Sequence, residues 1–127
     1  MCVLDWSGDG PEVLLLHPNG FCAGIFEPLV ERWGGRFRCV GIDLAGHGGS
    51  QQPADLDTFS MAGIAADVAT VLEQRGGGPV RVVGHSLGGV VGTLVEQLVP
   101  ERVERLVLCE PVIMPPPPLF ERPRRSR

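Results

Sequence analysis

One short segment of the chain has the residue types of a catalytic nucleophile. Gly84-His85-Ser86-Leu87-Gly88 fits the pattern G-x-S-x-G, in which a serine hydroxyl is presented at a tight turn. The pattern alone is weak, because a chain with 18 glycines can match it by chance. Its context makes it specific, since an apolar strand-like run precedes it and an amphipathic helical stripe follows it. This strand–turn–helix order predicts Ser86 at the carboxyl edge of a sheet, exposed for attack on a substrate.

Two glycines of this segment have a steric purpose. Side chains two residues before and two residues after a serine in such a strained turn would collide, so Gly84 and Gly88 are expected there. The helix that follows places free N–H groups beneath Ser86, where they favour developing negative charge. A phosphate-binding Walker loop is excluded, because the chain contains no lysine and therefore no G-x-x-x-x-G-K-[ST].

The elements around this turn alternate between strands and helices. Apolar runs predict strands at 12–17, 37–44, 80–84 and 103–109. Helical spacing of apolar residues predicts helices at 25–33, after a cap at Ser60, and at 87–98. The order βαβαβαβ predicts an α/β fold with a parallel sheet, right-handed crossovers and helices on both faces.

Length, composition and charge exclude several classes of protein. A chain of 127 residues with 43% hydrophobic and 20% charged residues is typical of one globular domain. Its formal net charge of −4 argues against a nucleic-acid or anionic-membrane partner. The sequence has no apolar run long enough for a membrane span and no signal-peptide pattern at its start. Four scattered cysteines without a C-x-x-C pair indicate the reducing cytoplasm.

No metal site or cofactor is predicted, because the histidines and cysteines lack ligand spacing. The end of the sequence differs from the rest: residues 112–127 hold four consecutive prolines, four arginines and one glutamate. We therefore expect a core at 1–111 and a Pro/Arg-rich tail at 112–127. An SH3 ligand or a basic targeting patch is the alternative for this tail.

Four segments together resemble the α/β-hydrolase superfamily, over about residues 6–118. They are LLLHPNGF (14–21), GIDLAGHGGS (41–50), VVGHSLGG (82–89) and LVLCEP (106–111). The resemblance implies that the four strands are the family's third to sixth, in spatial order 4-3-5-6, with Ser86 at the centre. It also implies an incomplete core. By the same resemblance, the tail at 112–127 would begin the cap, and the rest of the cap and the C-terminal strands would be missing. The first two strands would be absent or reduced to residues 2–6.

The resemblance also assigns roles near Ser86. The backbone N–H groups of Asn19 and Leu87 would form the oxyanion hole, although Pro18 stands where glycine is common. The acid and then the base follow the serine along the chain in this family, but no histidine follows His85. Glu110 is a doubtful candidate for the acid.

None of the three histidines is expected to act as the base. His17 would support the oxyanion turn, His47 would shape the wall of the site, and the turn aims His85 away from Ser86.

The function expected from these residues is that of a serine hydrolase acting on a small-molecule ester, thioester or related acyl substrate, inactive as this chain. A carbon–carbon bond hydrolase and a cofactor-free perhydrolase are alternative chemistries. A non-catalytic α/β module that binds a partner through its open edge and tail is the alternative of another class. Ser86 disfavours enzymes with an aspartate nucleophile. The acyl and alcohol groups and the oligomeric state stay open at this point.

Overall fold

Five strands and three α-helices alternate along the chain in the computed structural model, which describes residues 1–55 and 59–112. Most of the predicted tail, residues 113–127, lies outside the described residues. The strands are β1 (Cys2–Trp6), β2 (Glu12–Leu16), β3 (Arg38–Asp43), β4 (Val80–His85) and β5 (Val103–Cys109). The helices are α1 (Glu27–Trp33), α2 (Met61–Arg75) and α3 (Leu87–Leu98). Short 3₁₀ turns at Ala23–Phe26 and Pro100–Arg102 precede α1 and β5.

The sheet has the strand order β1-β3-β2-β4-β5. Strands β3, β2, β4 and β5 run parallel to one another, which confirms the predicted order of the four central strands. The order βαβαβαβ does not include β1. The resemblance allows residues 2–6 only as a remnant of the first strands, and they form one complete five-residue strand paired antiparallel to β3. Its half-polar sequence CVLDW gives a weaker apolar signal than the buried strands, and a short Gly- and Pro-containing turn connects it to β2 without a helix.

Alternation along the strands divides the core between the two faces of the sheet. On one face, Leu14, Leu16 and Ile42 pack with α2 and α3. On the other face, Leu15 and Cys39 pack with the 3₁₀ turn and α1. Both faces of β2 are therefore buried, which explains why its sequence EVLLL is continuously apolar after its first residue.

Two local signals determine where the helices begin. The Ser60 hydroxyl accepts a hydrogen bond from the Gly63 N–H at 3.0 Å, so the predicted cap of α2 is confirmed. Helix α1 begins at Glu27, two residues after its predicted start, because Ile25 and Phe26 belong to the 3₁₀ turn. Pro28 lies in the first turn of α1, where its missing N–H leaves no intrahelical bond unmade.

Strand β5 forms one edge of the described sheet, and its second half, residues 106–109, is apolar on both faces. Val107 is 51% exposed and Leu108 is 42% exposed, whereas strands of a parallel sheet are normally covered on both sides. An unpaired, apolar edge strand is a template for pairing with another chain.

We expect the isolated chain to self-associate through this edge. A Val107→Lys substitution should lower the association, because a lysine on an edge strand opposes strand pairing. Ala66→Lys on the exposed side of α2 adds the same charge elsewhere and should have little effect. Sedimentation velocity over a concentration series measures the mass. A monodisperse parent chain, or equal effects of the two lysines, would contradict the expectation.

Candidate active site

Ser86 occupies a strained turn between β4 and α3. Its backbone angles are φ 52° and ψ −113°, and a positive φ is unfavourable for a residue with a side chain. The Ser86 N–H donates to the Cys109 carbonyl at 2.9 Å, so the neighbouring strand β5 helps to hold the turn. This conformation is the one that the G-x-S-x-G segment predicts for an exposed nucleophile.

The glycines around Ser86 permit a close approach of backbones. A Cβ atom on Gly84 would overlap the Gly88 carbonyl, and a Cβ atom on Gly88 would overlap the carbonyl of Leu16 at the end of β2. The first turn of α3 therefore packs directly against the carboxyl ends of two adjacent parallel strands. Any side chain at either position would push the helix away from the strands.

A cavity of about 370 Å³ lies beside Ser86. Both predicted oxyanion-hole residues line it: Leu87 is the first residue of α3, whose N–H has no intrahelical acceptor, and Asn19 follows β2 at the same edge of the sheet. Its other lining residues are Phe59, Ser60, Met61, Ile64 and Val112. A larger groove of about 570 Å³ lies between α2 and residues 50–54, but none of Ser86, Leu87 and Asn19 lines it. The smaller cavity is therefore the candidate substrate site.

His17 supports the loop that carries Asn19. Its ring is 0% exposed. Its Nε2 accepts from the Leu44 N–H at 3.0 Å, and its Nδ1 lies 2.8 Å from the Pro18 carbonyl, to which it donates. Burial lowers the pKa of His17, although its hydrogen bond to Pro18 acts in the opposite direction. The ring is therefore neutral with both nitrogens occupied, and it has no free atom with which to take a proton from Ser86.

Asp43, at the end of β3, connects this loop to the next one. Its side chain, in a residue only 5% exposed, accepts from the N–H groups of Ala23 at 2.7 Å and of Gly49 at 2.8 Å. Burial acts to raise the pKa of Asp43, but these hydrogen bonds outweigh it and hold the pKa below its ordinary value. The sequence does not predict this role of Asp43. The one signal for it is the position of an acid at the start of the Gly-rich segment 43–50, whose N–H groups need acceptors.

His47 contacts Asn19 across the mouth of the site. Its Nε2 lies 3.0 Å from the side-chain oxygen of Asn19, and its Nδ1 lies 3.0 Å from the Ala45 carbonyl. The ring also lies against His17, with ring centroids 5.1 Å apart. The resemblance places His47 only in the wall of the site. Spacing along the chain gives no signal for its contact with Asn19, which lies 28 positions away.

The two remaining polar candidates are not brought to the hydroxyl of Ser86. His85 continues the alternation of Arg81 and Val83 along β4, which places it on the face of the sheet that α1 covers. Glu110 follows β5 with a positive φ of 46° and is exposed, but it does not line the Ser86 cavity.

The described residues contain no cluster of three or more histidine, cysteine or carboxylate side chains that could hold a metal ion. All four cysteines are free thiols. Within the same residues, no helix is long and apolar enough to cross a membrane.

Comparison with known proteins gives consistent results. The family model of the alpha/beta hydrolase fold matches residues 11–126. The pimeloyl-[acyl-carrier protein] methyl ester esterase of Nitrosomonas europaea is 35% identical over 105 residues, which are 83% of this chain and 39% of the esterase.

Two solved structures are similar over most of the chain. An N-acyl homoserine lactonase, AidH, complexed with N-butanoyl homoserine, superimposes with a TM-score of 0.79 and 32% identity, over 86% of this chain and 40% of the lactonase. A probable hydrolytic enzyme of Pseudomonas aeruginosa PAO1 superimposes with a TM-score of 0.80 and 33% identity, over 98% and 41% of the two chains. This chain thus spans about two-fifths of the length of the relatives described here.

A methyl group at Gly88 should destabilise the fold severely. Gly88→Ala forces a Cβ into the carbonyl end of β2, and we expect a loss of at least about 3 kcal/mol in the free energy of unfolding. Gly78→Ala, where an added Cβ meets no atom within 4 Å, should change it by no more than about 0.5 kcal/mol. Urea denaturation followed by circular dichroism measures both. Equal stability of the two variants would refute the packing argument.

Removing the charge of Asp43 should destabilise the chain in a pH-dependent way. Because the pKa of Asp43 is lowered on folding, its stabilising contribution is present above the ordinary aspartate pKa of about 4 and disappears as the pH falls through the folded-state value. We expect Asp43→Asn to lose about 2–3 kcal/mol near pH 7, and the difference from the parent chain to shrink in acid. Asp67→Asn, on the exposed side of α2, is the matched control. A difference that is independent of pH would contradict this.

Proposed function

The chain belongs to the α/β-hydrolase fold family, and on that premise we propose that it carries the nucleophile and the oxyanion hole of a serine hydrolase. Ser86 is the nucleophile, and the N–H groups of Asn19 and Leu87 are the oxyanion-hole donors. The observation that carries the proposal is the strained backbone of Ser86 at a strand–helix turn, beside a cavity that Asn19 and Leu87 also line.

In the reaction that we propose, the Ser86 hydroxyl oxygen attacks the carbonyl carbon of an acyl substrate. The carbonyl oxygen becomes an oxyanion, which the two N–H groups bind, and the N-terminus of α3 adds a favourable field. Each such donor contributes on the order of 3 kcal/mol to stabilising the transition state. Because His17, Asp43 and Gly88 hold the loops in place before substrate arrives, this stabilisation requires little reorganisation during the reaction.

A base has to complete this site from residues outside these 127. A serine hydroxyl is a weak nucleophile until a base takes its proton. The chain contains three histidines: His17 has both ring nitrogens bonded, His47 is bonded to Ala45 and Asn19, and His85 lies on the opposite face of the sheet from α3. Glu110, at the carboxyl end of β5 next to the strand that carries Ser86, is our candidate for the acid.

The lining of the cavity supports an uncharged acyl substrate. Phe59, Met61, Ile64, Leu87 and Val112 provide apolar surface around Ser86, and no charged side chain lines the cavity in the described residues. The names of the relatives include a methyl ester esterase and an N-acyl homoserine lactonase. We propose a small-molecule ester, thioester or related acyl compound as the substrate. The four free thiols support the reducing cytoplasm as the location.

The isolated chain should not hydrolyse p-nitrophenyl acetate faster than its Ser86→Ala variant. The expected reason is the missing base. Proton transfer by a positioned base typically raises such rates by about 10²–10⁴-fold. Release of p-nitrophenolate, followed at 400 nm (roughly its absorption maximum), measures the rates of both proteins. Turnover that depends on Ser86 would contradict the proposed absence of a base in this chain.

A fusion tests the proposed role of Ser86 directly. The segment of the Nitrosomonas europaea esterase that follows its aligned region is joined after residue 111, so that it can supply an acid and a base. We expect hydrolysis of p-nitrophenyl acetate to exceed that of the same fusion carrying Ser86→Ala by at least about a hundredfold. A folded fusion in which Ser86→Ala has no effect would refute the proposal and favour a non-catalytic binding module, the reading that the open edge of β5 supports.

A further inference from the structure

The side chain of Asn19 has a contact that the proposed function does not use. Its carboxamide oxygen lies 3.0 Å from Nε2 of His47, while Nδ1 of the same ring lies 3.0 Å from the Ala45 carbonyl oxygen. A carbonyl oxygen can only accept a hydrogen bond, so both ring nitrogens must donate in this arrangement. With the carboxamide oxygen towards the ring, the two contacts are both satisfied only when hydrogen is present on both ring nitrogens of His47.

The neutral ring requires a different orientation of Asn19. The backbone carbonyl of Ala45 cannot turn into a donor, so Nδ1 keeps its hydrogen and Nε2 becomes an acceptor. Asn19 can then satisfy Nε2 only by turning its carboxamide over, so that the amide nitrogen faces the ring. The oxygen and nitrogen of an asparagine side chain exchange places by such a rotation with little change in shape.

We propose that His47 is a positioning residue that determines which end of the Asn19 carboxamide is presented to the Ser86 cavity. When the ring is charged, it binds the oxygen and leaves the NH₂ group for the cavity. When the ring is neutral, it binds the NH₂ group and leaves the oxygen. This inference rests on the proposed function, in which Asn19 helps to bind an oxyanion: a free NH₂ group adds a donor for that anion, and a free oxygen opposes it.

Three titratable groups from neighbouring elements lie around His47. His17, from the end of β2, is the ring packed against it, and burial keeps His17 neutral by lowering its pKa. Asp43, from the end of β3, is ionised and accepts from Gly49 in the same loop. From β1, Cys2 contributes a neutral thiol, because burial and the neighbouring Asp43 raise the pKa of Cys2. None of these three groups carries a positive charge next to His47.

Nuclear magnetic resonance of the full 127-residue chain tests the proposal without any substrate. Long-range ¹H–¹⁵N spectra report which ring nitrogen of His47 carries hydrogen, and the side-chain amide signals of Asn19 report its orientation. Across a series of spectra recorded at different pH values, we expect Nδ1 to carry hydrogen throughout. The Asn19 amide signals should change together with the presence or absence of hydrogen on Nε2. A Val107→Lys background is used if self-association broadens the lines.

Three variants separate this effect from general changes in the fold. His47→Phe keeps an aromatic ring against His17 and removes both nitrogens, so the Asn19 signals should stop responding to pH. His85→Phe, the matched control, should leave the response intact. Asn19→Asp presents only acceptor oxygens, so Nε2 of His47 should keep its hydrogen to higher pH.

The proposal is wrong if Nδ1 loses its hydrogen in the neutral ring, or if the Asn19 signals do not follow the titration of His47 in the parent chain. It is equally wrong if their response persists in His47→Phe. The spectra of the parent chain decide the matter even if that variant does not fold. Ser86→Ala should leave the titration unchanged, so the failure of this inference can be distinguished from a failure of Ser86 as nucleophile.

Discussion

The close packing of the first turn of α3 against the carboxyl ends of β2 and β4 is the constraint on which the rest of this site depends. Gly84 and Gly88 allow the backbones to approach so closely that neither position has space for a Cβ atom. This approach forces Ser86 into a positive φ and places the N–H of Leu87 next to the loop that follows β2. The proposed nucleophile and the proposed oxyanion hole therefore both depend on one packing contact between a helix and two strands.

A backbone in such a conformation costs free energy, on the order of 1–3 kcal/mol, and persists because its surroundings hold it. Two buried polar residues brace the loops here. His17 joins the end of β2 to the end of β3 through Leu44, and Asp43 joins the loop 43–50 to the 3₁₀ turn at Ala23. Both sit at the carboxyl edge of the sheet, where three loops meet without regular secondary structure to satisfy their N–H groups.

Most of the elements and the strained turn at Ser86 could be predicted from the sequence because their signals are local. The apolar run of β2, the cap at Ser60 and the glycines on both sides of Ser86 each specify the structure of a few consecutive residues. The contacts of Asp43 with Ala23 and of His47 with Asn19 could not be predicted in this way. They join residues 20 and 28 positions apart, and they depend on the directions of side chains in loops. The apolar pattern alone does not predict strand β1, because its pairing with β3 rather than its own composition makes it a strand.

The two edge strands of the described sheet differ in how they are protected from pairing with another chain. At the β1 edge, Asp5 is paired with Arg38 and Arg75, and charged side chains on an edge strand oppose pairing with another chain. At the β5 edge, Val107 and Leu108 are exposed on opposite faces, and Glu110 follows with a strained backbone. The uncovered edge is thus the one next to the strand that carries Ser86. A parallel strand paired with β5 would be separated from β4 by one strand. Its carboxyl end would lie at the same end of the sheet as Ser86. Under the proposed function, the open apolar edge is therefore also the side of the molecule from which a base could reach Ser86.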